Sequence, residues 1–412
     1  MDSHRPRPHL SRSAAFWTSS GIIVTILAAS SAPSPLYPFY EETIGLTHID
    51  ISFAFSGYPI GLLLALLIAG SISDHLGRKP VIIVSLAGLI CSMVLLLVAT
   101  ATPVLIAGRL LQGLSTGVAL GAVGAYLVEL APVGRPHLAS LVNSAGAVIG
   151  TAVGAILGSV AALVWPSTPM VVFGLLLVIF AGELVSISLS PESWRRVPGL
   201  AASLVPRIHI PRRVRREAPW TMLGLFLAWA ASSVTLSLAP VLLSDLVGGS
   251  GAILGAVVVL TMCLPGAVAA FVLAKQSAAT IMIVTVISLI PGAGLTILGT
   301  SLSSLTAYLA GTAIAGIGVG ASLLGALRML TTAADPEHRA GAISAVYVAA
   351  YVGLALPTIL VGALASTLGL ANAFLAFEAA VVAFAVVSLI GLVLTTRPGP
   401  PGPASAQFKE AT

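Results

Sequence analysis

Twelve predominantly apolar runs follow one another along this chain, and lysine and arginine are almost confined to every second gap between them. A helix needs about 20 apolar residues to cross the hydrocarbon of a bilayer. The runs lie at about 15–38, 49–70, 81–100, 103–130, 136–163, 169–190, 219–244, 251–274, 279–299, 302–330, 341–367 and 371–395. Only 8% of the residues are charged, against roughly 25% in a soluble globular chain. Hydrophobic residues make up 57%, more apolar surface than one water-soluble core hides. Lipid is the solvent that fits, and a water-soluble enzyme is excluded.

Charge gives the orientation. Arg5, Arg7 and Arg12 precede the first run, and the even-numbered connections carry Arg78 and Lys79, Arg135, seven arginines from Arg195 to Arg216, Lys275, and Arg339. Arg397 and Lys409 follow the last run, while Arg109 and Arg328 fall within runs. The odd-numbered connections and their edges hold Glu41, Glu42, Asp50 and Asp245 and no Lys or Arg. The positive-inside rule then puts both termini in the cytoplasm. The basic residues are not interleaved with aromatics, so the high isoelectric point reflects membrane orientation and not nucleic acid. Short loops suggest a bacterial inner membrane.

The N-terminus has a second reading. A basic tail, an apolar run and Ala29-Ser-Ser-Ala-Pro-Ser-Pro35 also imitate a cleavable secretory signal. Cleavage would leave eleven spans and break the symmetry between halves. Cys91 and Cys263 each lie within an apolar run, as small packed hydrophobes, and offer neither a disulfide framework nor a metal site.

The second half echoes the first at a nearly constant displacement. Pro33 and Pro240 differ by 207, Pro59 and Pro265 by 206; Gly108 and Gly311, Gly113 and Gly316, Gly117 and Gly320, and Gly150 and Gly353 all differ by 203. Six spans is an even number, so the two copies are parallel repeats. The expected fold is all-α with twelve transmembrane helices in two six-helix bundles, at 15–190 and 219–396. A tail at 1–14, a basic linker at 191–218 and a tail at 397–412 complete the chain, all on the cytoplasmic side. The linker, with Trp194, four prolines and seven arginines, suits a solvated connector on anionic lipid headgroups, or a regulatory site.

The sharpest local signal is Gly70-Ser-Ile-Ser-Asp74-His-Leu-Gly77-Arg78-Lys79-Pro80 after span 2. The glycines permit a tight turn, and an acid four residues before an arginine can form a charge network at a helix boundary. This loop resembles the signature of the major facilitator superfamily, Gly-x-x-x-Asp-x-x-Gly-Arg-[Arg/Lys], with His75 as a departure. The resemblance implies that Asp74 caps a helix of the opposite half and that Arg78 pairs with an acid at the inner end of span 4, here Glu129. Such a network would latch the halves on the inner side. It also implies that Arg109, in Arg109-Leu-Leu-Gln112-Gly113, faces the central cavity and serves proton coupling. An arginine reaching the outer interface is the bland alternative, although an intramembrane arginine without partners is costly.

Gly146, Gly150, Gly154 and Gly158 line one face of span 5 and admit a close helix neighbour. They are similar to an element of the drug:proton antiporter branch, with Thr151 and Ala155 replacing its proline and last glycine. Span 1 lacks the carboxylate many such antiporters carry, which leaves Glu183 in span 6 and Glu378 in span 12 as proton-coupling candidates, or as structural residues in peripheral helices. In this fold spans 1, 4, 7 and 10 line the cavity and bring Trp17, Thr18, Ser19, Gln112, Tyr126, Trp229, Ser232, Ser233 and Thr235. Hydroxyls, amides and a few aromatics suit a small amphiphilic molecule.

Gly113-Leu-Ser115-Thr-Gly117 imitates a hydrolase motif, but all seven histidines lie in tails, loops or span edges. Gly316-Ile-Gly318-Val-Gly320 follows no strand and is no phosphate loop. No catalytic set or cofactor site is expected. The function expected is a monomeric secondary transporter exporting a drug or metabolite in exchange for protons by alternating access; proton-coupled uptake is the alternative.

Overall fold

The computed structural model describes residues 10–69, 72–132, 137–164, 168–193, 210–248, 251–335 and 338–396. Gly70, Arg135, most of the basic linker and the outer parts of both tails lie outside them. Twelve long helices carry the predicted spans: α1 (Arg12–Ser31), α2 (His48–Ala69), α3 (Arg78–Leu97), α4 (Thr102–Leu130), α5 (His137–Val164), α6 (Thr168–Ser188), α7 (Ala218–Val247), α8 (Gly251–Val272), α9 (Ala278–Ser301), α10 (Leu305–Ala333), α11 (Arg339–Leu368) and α12 (Leu370–Thr395). Eleven are long and apolar enough to cross a membrane, and Ile149–Val164 is a further apolar stretch within α5. No strand occurs among the described residues. The outer surface is apolar: Val84, Val178, Phe271 and Leu394 are all exposed, as lipid-facing residues should be.

The first span differs from its expected extent. α1 stops at Ser31, and the chain continues as a 3-10 turn (Ser34–Leu36) and a short helix (Tyr37–Ile44). Pro33 and Pro35 lack an N–H, so the carbonyls of Ala29 and Ser31 lose their partners four residues on. Prolines inside α2, α7, α8, α9 and α11 (Pro59, Pro240, Pro265, Pro291 and Pro357) are absorbed without ending the helix, because neighbouring helices support the interrupted turn.

The two sets of six helices pack alike. In the first, α1 packs on α4, α5 and α6, α2 on α4, and α3 on α4 and α6; in the second, α7 packs on α10, α11 and α12, α8 on α10, and α9 on α10 and α12. Each of these contacts has its counterpart, as expected for parallel repeats, while α7 also meets α8 and α9 in the second half. Between the sets α2 meets α11 and α5 meets α8, again counterparts of one another.

The ends of the bundle carrying Arg78, Lys79, Lys275 and Arg339 form a basic end, and those carrying Glu41, Glu42 and Asp50 an acidic end. One apolar core runs through the first half and crosses to the second through Leu238, Leu242, Val361 and Phe374. A separate core around Leu225, Leu330, Ala342 and Val346 fills the second half towards the basic end. Contacts at the acidic end join the halves: the Ser56 hydroxyl donates to the Ala355 carbonyl (2.9 Å). A Cβ on Gly362 of α11 would sit 2.1 Å from Ser52 Oγ of α2.

Candidate functional site

The loop after α2 is built around one guanidinium. Gly77 has φ +99°, a conformation that glycine adopts freely, and it turns the chain so that α3 begins at Arg78. The buried Arg78 side chain is paired with Asp74 at 2.5 Å and with Glu129 of α4 at 2.9 Å. Its Nη1 also donates to Ser73 Oγ at 2.7 Å. The pairing of Arg78 with Glu129 is the one anticipated from the loop signature. Asp74 engages Arg78 of its own loop, and Ser193 donates to the other oxygen of Glu129.

A second acid joins this cluster without a signal in the loop itself. Glu192, just beyond α6, accepts from the backbone N–H of Arg78 (3.1 Å) and of Lys79 (3.2 Å). It thereby caps the start of α3, which Gly77 cannot do with a side chain, and sets a negative charge at a helix N-terminus. Lys79 Nζ donates to the Ser188 and Ser190 carbonyls at 2.7 and 2.9 Å, closing the end of α6. Tyr126 of α4 donates to the Pro191 carbonyl at 2.5 Å, and the Arg12 guanidinium to the Glu129 carbonyl. The basic end of the first half is therefore one connected polar network.

Arg109 is 1% exposed. Its Nη1 donates to the Ser30 carbonyl at 3.2 Å and to Gln112 Oε1, and Gln112 Nε2 donates to the Ala29 carbonyl at 2.8 Å. Pro33 removes the helical partner of the Ala29 carbonyl, and the end of α1 at Ser31 opens the Ser30 carbonyl. The carbonyls freed by the helix break in α1 are thus met by Arg109 and Gln112 of α4, while Arg109 Nε is left without a hydrogen-bond partner among the described residues. The guanidinium also lies 4.9 Å from the centroid of the Tyr58 ring, a cation–π distance. These partners all belong to the first half.

The span-5 glycines seat on α1. A Cβ on Gly150, Gly154 or Gly158 would approach the carbonyl oxygens of Val24, Ala28 and Ala32 to 2.4, 2.0 and 2.4 Å, and one on Gly146 would meet Ile23 at 3.2 Å. Both helices advance four residues per contact, so the glycine stripe meets a carbonyl stripe. Ser31 Oγ donates to the Thr151 carbonyl at 2.8 Å beside it.

The two intramembrane acids each lie in the sixth helix of their half but at different depths, Glu183 half-buried as the sixteenth residue of α6 and Glu378 buried as the ninth of α12. Glu183 accepts from Thr25 of α1 at 2.8 Å. Glu378 is 2% exposed and lines a small internal cavity with Ser232 and Thr235 of α7, Thr296 of α9 and Thr312 of α10. Glu378 therefore faces the middle of the second half and not its lipid edge.

The other anticipated cavity residues are dispersed. Trp17 is 58% exposed and edge-on to Phe16. Ser19 and Thr18 donate to their own helix, and Ser233 to the Ala230 carbonyl. Trp229 is half-buried and donates to Ser322 of α10 at 3.2 Å. It stands edge-on to Tyr351 of α11 with centroids 5.2 Å apart, and Tyr351 stacks on Tyr347 at 6.0 Å. Tyr58, Tyr347 and Tyr351 had no sequence signal, because isolated tyrosines in an apolar span carry no motif.

Two matching helical bundles in an apolar shell, joined by paired seams and carrying a charged loop at one end, have the architecture of a membrane transporter. The profile of the Major Facilitator Superfamily matches residues 19–302, and the chain belongs to that family. It is 30% identical over 187 residues, 44% of its length, to a triacylglyceride transporter of Mycolicibacterium hassiacum, of which the match covers 31%. Multidrug resistance protein MdtL of Salmonella paratyphi A is 29% identical over 195 residues, 42% of this chain and 46% of that protein. The chain thus spans less than half the length of these relatives. Among solved structures, a variant of the nucleoside transporter NupG aligns over 92% of this chain and 99% of its own with a TM-score of 0.73 and 13% identity, a likeness of fold.

Proposed function

We propose that the protein exports a small amphiphilic drug or metabolite in exchange for protons, its two halves rocking about a crevice between them. Both termini are then cytoplasmic, in a bacterial inner membrane, and one chain suffices as a monomer because the crevice lies between its own halves. The observation that carries the reading is the contrast between the two ends. The halves share a core at the acidic end, while at the basic end Asp74, Arg78 and Glu129 form a charge cluster at the rim of the first half. In this reading the arrangement is closed to the outside, and the loop latches against the second half, with Asp74 on a helix end, when the crevice opens outward. Trp229, Tyr347 and Tyr351 give the crevice an aromatic wall, which suits a flat or amphiphilic substrate with little charge. The partial likeness to a multidrug resistance protein favours export.

Everted vesicles energised by respiration and monitored with a pH-sensitive dye test this directly. Adding a substrate from a panel of amphiphilic compounds should discharge the gradient in vesicles containing the protein and not in control vesicles. A proton movement of opposite sign marks uptake, and no response to any compound rejects antiport. Asp74→Asn should insert and fold normally yet lose most of the response.

A further inference from the structure

The second half contains a polar cavity that the transport cycle above does not use. It is lined by residues of α7, α8, α9, α10 and α12, inside one bundle and not between the two, and has room for about one water. Its polar lining is Ser232, Thr235, Thr296, Thr312 and the Glu378 carboxylate, and no Lys, Arg or His lines it. These five side chains are each 7% exposed or less. The Thr296 hydroxyl donates to the Ala293 carbonyl (2.9 Å) and the Thr312 hydroxyl to the Tyr308 carbonyl (3.0 Å). The Thr296 hydroxyl is also within hydrogen-bonding reach of Glu378, and both hydroxyl oxygens keep lone pairs to offer, as the carboxyl group does. Tyr308, fully buried, is a titratable group in electrostatic reach of Glu378 and is hydrogen-bonded with Thr235. Arg328 and Arg339 stand towards the basic end.

The first half shows what belongs in such a place. Arg109 and Thr312 are separated by the same 203 residues as the flanking glycine pairs, and each is the eighth residue of its helix. In the first half that position supplies a resident cation to carbonyl and amide oxygens. In the second it supplies another oxygen to a site that already holds a carboxyl group. Ionising that buried carboxyl group is electrostatically unfavourable until a cation enters. One carboxylate balances one positive charge. Several neutral oxygens around it suit a hard ion with an oxygen shell better than a bare proton, which needs the carboxyl alone.

We propose that Glu378, Thr235, Thr296 and Thr312 form a binding site for a monovalent cation of sodium's size within the second bundle. The site is independent of what the protein transports, because binding is measured without any transport. Purified full-length protein in detergent is equilibrated with radioactive sodium at fixed ionic strength, with choline chloride as the replacement salt. Wild type should bind sodium saturably with a stoichiometry near one. Glu378→Gln should abolish it, Glu183→Gln should retain it, and Thr296→Val and Thr312→Val should each weaken it by about tenfold through loss of one oxygen ligand. The valine variants preserve shape and keep the test decisive if Glu378→Gln does not fold. Absence of saturable binding in wild type, or equal binding in wild type and the Glu378 and threonine variants, overturns the proposal. So does loss of binding in Glu183→Gln alone.

Discussion

The two halves share a plan of packing but solve the same local problems with different chemistry. At the basic end of the first half, the connection between the second and third helices is a charge cluster in which Arg78 is held by Asp74, Glu129 and Ser73, with Glu192 capping α3. At the matching place in the second half, residues 273–277 carry no acid. There Arg328 of α10 reaches across to the Ala274 and Gln276 carbonyls instead, at 2.8 Å to the former. A guanidinium closes the end of the second helix in one half and begins the third in the other. Deeper in the bundle, the first half carries Arg109 where the second has Thr312. Along the first-to-fifth helix contact, three glycines of α5 touch carbonyls of α1 and its C-terminal cap, whereas in the second half Gly353 does so against Phe226. Duplication preserved the shape of the packing, and the polar chemistry specialised on one side.

The largest effect should come from the glycine stripe. Gly154→Val forces a side chain into the Ala28 carbonyl and should remove folded protein altogether, beyond the ~1–3 kcal/mol typical of overpacking. Gly182→Val, where a Cβ meets nothing, should be monodisperse by size-exclusion chromatography. If both variants behave alike, the close seam is not what holds α1. Next comes Arg109→Leu, which strands the Ser30 carbonyl and Gln112. It should lower the thermal unfolding midpoint by an amount matching about 3 kcal/mol and abolish transport, whereas Thr312→Val should leave stability within about 1 kcal/mol.

The two guanidiniums at the basic end should separate more modestly. Arg78→Ala should cost roughly 1.5–3 kcal/mol, the range for bonds to charged groups. Arg328→Ala, whose partners are exposed carbonyls, should cost under about 1 kcal/mol. Equal costs measured by chemical denaturation in detergent would erase the distinction between the halves. A small effect is also expected from Glu192→Gln. Oε1 and Oε2 of Glu192 accept separately from the Arg78 and Lys79 N–H groups, so the amide keeps one of these bonds and loses the other together with the charge at the helix start, worth about 1 kcal/mol.

Much of this was readable beforehand because hydrocarbon thickness and backbone satisfaction allow few solutions. The twelve spans, the duplication and the Arg78–Glu129 pair all rest on length, charge placement or a fixed spacing. The end of α1 at Ser31 was missed because Pro33 lies in an apolar run, and hydropathy does not register a missing N–H. Glu192 was missed because its partners are backbone groups more than 100 residues earlier, and nothing local marks a cap supplied from elsewhere. The facing directions of Glu378, Tyr58, Tyr347 and Tyr351 were unreadable for another reason. A helix surrounded by lipid on one side and apolar side chains on the other has no hydrophobic contrast to reveal which face is inside.

The glycine-to-carbonyl contact also has a mechanical consequence. With backbone set against backbone at Gly150, Gly154 and Gly158, α1 and α5 have little room to slide past one another and should tilt together. What can yield is the proline-broken stretch that follows Ser31, where hydrogen bonds of the helix are already missing. In the proposed rocking motion that stretch is where the first bundle would bend, and Arg109 is bonded to its upstream edge.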